Sequence, residues 1–125
     1  VSGALRSDYQ KTRLERMSQR LGIKSFTPLW HQSSKSHMKG LVENGFEVMI
    51  SGVSSEGLDK SWLGKVLCEK SLIELENLSL KYRFNFDGEG GEYETLIVNG
   101  PHMRYGLDLN FNIHWDGVRG HLDFI

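Results

Sequence analysis

The run Asp87-Gly88-Glu89-Gly90-Gly91-Glu92-Tyr93-Glu94-Thr95 sets four carboxylates around three glycines. Like charges packed so closely repel and oppose a compact turn. Such a loop therefore suits a cation, either an ammonium group or Mg²⁺, although a solvated hairpin turn would leave the same composition. It is not a dinucleotide fingerprint, which needs a strand before it and a helix after it. Glutamates also repel phosphate unless a divalent cation lies between them.

A second group has the opposite leaning. Ser7 and Gln10 form a capping box, and Asp8 adds negative charge to the first helical turn. At about 100° per residue, Tyr9, Leu14, Met17 and Leu21 fall on one side, with Gln10 and Arg13 inside the same stripe. A guanidinium on an apolar face needs a partner. It either snorkels past the edge of the core or meets an anion near the helix start, where backbone N–H groups point outward. His114 and His121 lie diagonally on the polar face of a hairpin. No cysteine or second histidine pair completes a zinc or other metal site around them. No Ser-His-Asp or Cys-His arrangement is legible either. Trp62 and Trp30 read as core, and Trp30 also ends a strand, where α/β sheets place ligand contacts.

The elements that must hold these residues follow from period and punctuation. A helix is expected over 8–21, closed by Gly22, then a short strand over 23–29 ended by Pro28. Ser33 caps a second helix reaching Asn44. The apolar run 46–53 has the length and continuity of a strand buried in a parallel sheet, so the order strand–helix–strand predicts a βαβ unit. Residues 54–65 read as loop. Ser71 and Glu74 start a helix ending near Tyr82, and 94–98 is a strand followed by the turn Asn99-Gly100-Pro101. Leu107, Leu109, Phe111, Ile113 and Trp115 alternate with polar residues up to Asp116-Gly117, a two-residue hairpin signal. That turn pairs Trp115 with Val118, Phe111 with Leu122, and Leu109 with Phe124. The hairpin's apolar face should pack on the helix begun at Ser71.

The 125 residues suffice for one compact domain with a core. A net charge of −1 argues against a nucleic-acid partner. Through Lys65 there are 10 basic against 6 acidic residues, a balance of +4; from Val66 there are 5 against 10, a balance of −5. No apolar run is long enough to span a bilayer. The lone Cys68 excludes an internal disulfide and suits a reducing, cytoplasmic setting.

Several segments, in order, resemble landmarks of the diphthine–ammonia ligase (diphthamide synthase) family of N-type ATP pyrophosphatases. They are Gly3-Ala4-Leu5-Arg6-Ser7-Asp8-Tyr9-Gln10-Lys11-Thr12-Arg13, Arg20-Leu21-Gly22, Leu29-Trp30, Gly57-Leu58-Asp59, Trp62-Leu63-Gly64-Lys65 and the acidic-glycine run 88–95. The ending Trp115-Asp116-Gly117-Val118 is similar to shorter microbial members. The resemblance implies an α/β chain: the later part of a Rossmann-like adenine-nucleotide alpha-hydrolase fold over 1–65, continuing over 66–125 into an α+β substrate-side part with an antiparallel hairpin. It implies ATP, with Mg²⁺, as cofactor, and amide formation on the diphthine of elongation factor 2 by way of an acyl-adenylate. Ammonia is the second substrate, AMP and pyrophosphate are released, and self-association of the chain is compatible with this.

By the same resemblance, Glu89, Glu92 and Glu94 become catalytic candidates, and Gly90, Gly91, Tyr93, Thr95 and Trp30 substrate-binding ones. Ser7, Asp8, Gln10 and Arg13 become nucleotide-side residues, and no metal ligand is assigned. The acids and Tyr93 would bind diphthine's quaternary ammonium, the incoming ammonium, or both. The acidic loop is expected near the C-terminal ends of parallel strands, on the side of the first helix start. The family's Ser-Gly-Gly-Lys-Asp-Ser-like phosphate loop is absent from these residues, so the chain reads as a fragment that alone should not turn over ATP. Two other readings stand beside it: a non-catalytic interaction module, and an ATP pyrophosphatase relative acting on another carboxylate or on RNA.

Overall fold

A computed structural model describes all of residues 1–125, which divide into two compact units, Val1–Ser33 and Ser34–Ile125. In the first, helix α1 runs Asp8–Arg20. Ser7 caps it, its Oγ accepting from the Gln10 N–H at 3.3 Å. The expected apolar stripe does not form a core: Tyr9, Met17 and Leu21 are 70%, 50% and 65% exposed, while Ser18 is the buried residue of the helix. Residues 23–29 are not a strand. Their backbone bonds are irregular, Ile23 N–H reaching Ser18 O, Ser2 N–H reaching Phe26 O, and Trp30 N–H closing a turn on Thr27 O. The β-leaning residues there have no neighbouring strand to pair with, and Pro28 removes one donor.

The second unit holds α2 (Ser34–Glu43), β1 (Glu47–Val53), a 3-10 turn (Lys60–Trp62), α3 (Glu69–Tyr82), β2 (Tyr93–Asn99), β3 (Phe111–Trp115) and β4 (Gly120–Phe124). The strands form one sheet in the order β2-β1-β4-β3. With its helices the molecule is α/β, but every strand pair is antiparallel, so the expected parallel sheet and βαβ unit are not there. Burial of successive residues reports that both faces of β1 are covered; it carries no information on the direction of neighbouring strands. Strand β1, taken from residues before 65, is bonded to β2 and β4, taken from residues after it.

Helix α3 is capped three residues earlier than the sequence suggests. Cys68 is the N-cap, and Ser71 completes the box from inside by accepting the Cys68 N–H at 2.7 Å. Leu72 and Leu75 of α3 and Met38 of α2 join Val48, Ile50, Trp62, Tyr93 and Leu122 in one core. Leu109, Phe111 and Trp115 pack at its edge, so the hairpin's apolar face does share a core with α3. Gly120 lets it close: a Cβ there would stand 2.7 Å from the Trp115 ring and 2.9 Å from Leu63 Cδ1.

The hairpin turns one residue later than expected. Trp115 pairs with Gly120, Ile113 with Leu122 and Phe111 with Phe124. The Asp116 carboxylate accepts the N–H groups of Val118 (2.9 Å) and Arg119 (2.8 Å), and Asp116 N–H reaches Arg119 O at 3.1 Å. Only Gly117, at φ +99°, takes a left-handed conformation there. A type I′ turn on Asp116-Gly117 would need positive φ at both residues, whereas the carboxylate holds the chain in an Asx-type turn instead. The slip keeps the alternation of faces within the strands but moves Val118 out of its expected pair with Trp115 into the turn, where it is 68% exposed. Leu122 is buried and Trp115, Phe111 and Leu109 are half-buried, against exposed Asn110, Asn112 and His121; Ile113 and Phe124, at 39% and 42%, are exposed as well. No helix is long and apolar enough to cross a membrane.

Candidate functional site

The acidic-glycine run forms a tight loop leading into β2, and its carboxylates serve different ends. Glu92 turns back on the loop: one oxygen accepts the Asn85 N–H (3.0 Å) and Asn85 Nδ2 (2.7 Å), the other the Gly90 N–H (2.8 Å). Asp87 accepts from the Glu89 N–H at 3.3 Å and from Ser34 Oγ of α2 at 2.8 Å. Gly88, at φ +72°, allows the turn to fold against Tyr93, whose Cζ would lie 2.9 Å from any Cβ there. Tyr93 is buried and its hydroxyl donates to the Phe86 carbonyl. Burial above all, then the nearby Asp87, Glu92 and Glu89 carboxylates, raise its pKa and keep the phenol neutral. Ser54 Oγ ties the loop to the end of β1 by donating to Gly91 O at 2.6 Å.

Beyond this loop the sheet opens into a cleft of about 540 Å³, lined by Gly91, Tyr93 and Glu94, by Gly52 of β1, and by His114, Trp115, Arg119 and His121 of the hairpin. Of the acids expected to act together, Glu94 faces the cleft and Glu92 does not line it, its carboxylate being bound to the backbone of its own loop. Glu89, Gly90 and Thr95 do not line the cleft either. The histidines sit directly opposite each other rather than diagonally, their rings stacked at 5.1 Å and 17°. His114 Nε2 also stands 3.5 Å from Asp123 Oδ2.

Sequence reasoning set the histidines aside and passed over Gly52. A glycine inside an apolar strand was the available signal, since it marks a bulge or a close approach. The ladder is indeed irregular between Ile50 and Gly52.

In the first unit, Arg13 Nη1 donates to Tyr9 OH at 2.9 Å on the exposed side of α1. Trp30 lies in a turn, not at a strand end, stacked on His31 at 4.8 Å with Lys11 Nζ 5.3 Å from its ring. The ATP and Mg²⁺ implied by the resemblance do not fit the residues present. Ser7 Oγ already caps Gln10, and the Arg13 guanidinium donates to Tyr9 OH. No group of three or more His, Cys, Asp or Glu side chains is placed to hold a metal ion.

What the second unit presents is a helix-backed antiparallel sheet with an open cleft whose charged and titratable lining is Glu94, Asp116, His114, His121 and Arg119. The chain belongs to the diphthamide synthase C-terminal domain family, which it matches over residues 33–125. It is 38% identical over 100 residues to the diphthine–ammonia ligase of Schizosaccharomyces pombe, covering 80% of this chain and 16% of that protein. It is likewise 38% identical over 100 residues to that of Rattus norvegicus and over 102 residues to that of Homo sapiens, in each case 79% of this chain and 37% of the relative. The chain thus spans between about a sixth and just over a third of the length of these relatives.

Proposed function

We propose that this chain is the substrate-side part of an ATP-dependent amide ligase that converts diphthine on elongation factor 2 to diphthamide with ammonia. The observation that carries the reading is the coincidence of the family match, residues 33–125, with the unit that contains the cleft. The reaction carried over is amide formation through an acyl-adenylate, with release of AMP and pyrophosphate, the ATP and Mg²⁺ being held outside the residues described. The Rossmann-like nucleotide part expected over 1–65 is narrowed to residues 1–33, with Ser7, Asp8, Gln10 and Arg13, because β1 is paired within the second unit.

Within the cleft, Glu94 offers a negative charge to a cationic group. Arg119 is a donor for a carboxylate in the same space. The backbone of Gly91 and the Glu92-braced loop fix the end of β2, and so the place from which Glu94 projects.

The test is amide formation by the full-length protein on diphthine-bearing elongation factor 2 with ATP and ammonium, followed by mass spectrometry of the modified residue. Glu94→Gln is expected to lower turnover about ten- to a hundred-fold, as for the loss of a charge-assisted contact of about 1.5–3 kcal/mol. Absence of amide product from the unaltered protein would overturn the reading; full activity in Glu94→Gln would remove that carboxylate from the site.

A further inference from the structure

The register of the sheet lines up one row across all four strands. Glu94 of β2 pairs with Gly52 of β1, Gly52 with His121 of β4, and His121 with His114 of β3. Directly paired residues share a face, and all four line the cleft. The row therefore reads carboxylate, gap, imidazole, imidazole. Adjacent strands lie about 4.8 Å apart, so the Glu94 and His121 backbones are on the order of 10 Å apart with no side chain between them. Gly52 leaves the gap unfilled; a Cβ there would stand in ordinary contact with Glu94 Cβ (3.4 Å) and Cγ (3.5 Å). The irregularity in the ladder beside it is of the kind that re-aims side chains next to sites.

A carboxylate and an imidazole facing each other over such a gap can both bond one small nitrogen cation, at about 2.8 Å on either side. A quaternary ammonium has no N–H to give them; ammonium has four. Ammonium also has no lone pair, so an amide-forming site fed with it needs a group that removes a proton. Imidazole is the side chain whose proton exchange falls nearest neutral pH.

Resting on the amide-ligase reading, we propose that this row is the ammonium site, Glu94 holding the ion and His121 serving as the general base. Ammonium passes one proton to the His121 imidazole, leaving neutral ammonia and an imidazolium. The freed electron pair forms the C–N bond to the activated carboxyl carbon, whose leaving group departs with the pair of the bond that breaks. The new amide nitrogen sheds its surplus proton to water, and His121 returns its own to solvent. His114 is a positioning residue, stacked on His121 and facing Asp123 at 3.5 Å. The other charged groups at the cleft are Asp116, whose carboxylate is engaged in the turn, and Arg119. From β1 the lining residues are Gly52, Val53 and then Ser54, none of them ionisable.

The experiment varies ammonium chloride in the amide assay of the full-length protein across pH. His121→Gln is expected to lower kcat/KM for ammonium about 100-fold near about pH 7, shrinking below about tenfold near about pH 9.5, where free ammonia needs no base. The KM for elongation factor 2 should stay unchanged. Gly52→Ala, which puts a methyl group into the gap against Glu94, should raise the KM for ammonium about tenfold, again without moving the KM for the protein substrate. A deficit of equal size at every pH, or none, overturns the assignment of His121 while leaving the ligase reading in place; an unaltered protein that makes no amide takes both down. His121 is exposed, so circular dichroism of the variant should match the parent.

Discussion

Between Asn85 and Glu92 the carboxylates of Asp87 and Glu92 hold their own loop, whereas two residues further on Glu94 faces an open cleft. The first region is the more acidic and glycine-rich in sequence, and the second has the geometry of a site. A carboxylate that accepts three N–H groups is spent on holding a loop; one that stands on a strand with a bare glycine beside it is available to a ligand. Density of charge along the chain and availability of charge in space are thus different properties, and here they separate within three residues.

Exchanging the two glutamates gives the largest contrast. Glu92→Ala should destabilise the domain by about 1.5–3 kcal/mol, the value of hydrogen bonds to a charged acceptor, toward the lower end because the loop is partly exposed. Glu94→Ala should change stability by less than about 0.5 kcal/mol, as for a surface change away from such features. Urea denaturation of both variants measures the difference. Equal losses would mean that Glu94 also holds the fold, and the division between bracing and presenting carboxylates would fail.

A smaller effect is expected from Tyr93→Phe. The ring remains in the core, but the Phe86 carbonyl loses its phenol donor, at a cost of about 1–2 kcal/mol. Because the hydroxyl is directed at the loop's backbone, turnover per folded molecule should stay within about twofold. A large loss of turnover with no loss of stability would instead put that hydroxyl in the site and blur the line between the two regions.

How much of this was legible in the sequence depended on whether the signal was local. Ser7 and Gln10 announced the start of α1, and the alternation from Leu107 to Trp115 announced a hairpin with its correct faces. What pairs with what was not local. The run through Val48, Met49 and Ile50 carries burial but no strand direction, and the antiparallel partners of β1 come from residues 93–99 and 120–121. The row of Glu94, Gly52, His121 and His114 spans four strands, so no spacing along the chain could reveal it. Even the turn was displaced by one side chain, that of Asp116, which bonds the backbone where the dipeptide signal placed a different geometry.

That turn gives the smallest and most specific prediction, and it extends the comparison to a third carboxylate that is bound to backbone. The N–H of Arg119 first, then that of Val118, hold the Asp116 carboxyl below its ordinary pKa; slight desolvation opposes them and the Arg119 charge assists. A depressed carboxylate stabilises the folded state above its unfolded value, about 4, and the contribution is lost as pH falls through the lower folded value. Asp59 is lowered in the same direction by the Ser61 hydroxyl and N–H, so the parent protein alone would not isolate the turn. The informative quantity is the gap in urea midpoint between the parent and Asp116→Asn from about pH 6 down to about pH 2. Asparagine keeps an acceptor oxygen but no charge, so the gap should be small and constant above about pH 5 and close as Asp116 takes up its proton. A gap that persists unchanged at the acid end would mean that the turn is held by shape alone, and that Asp116, unlike Glu92, gains nothing from its charge.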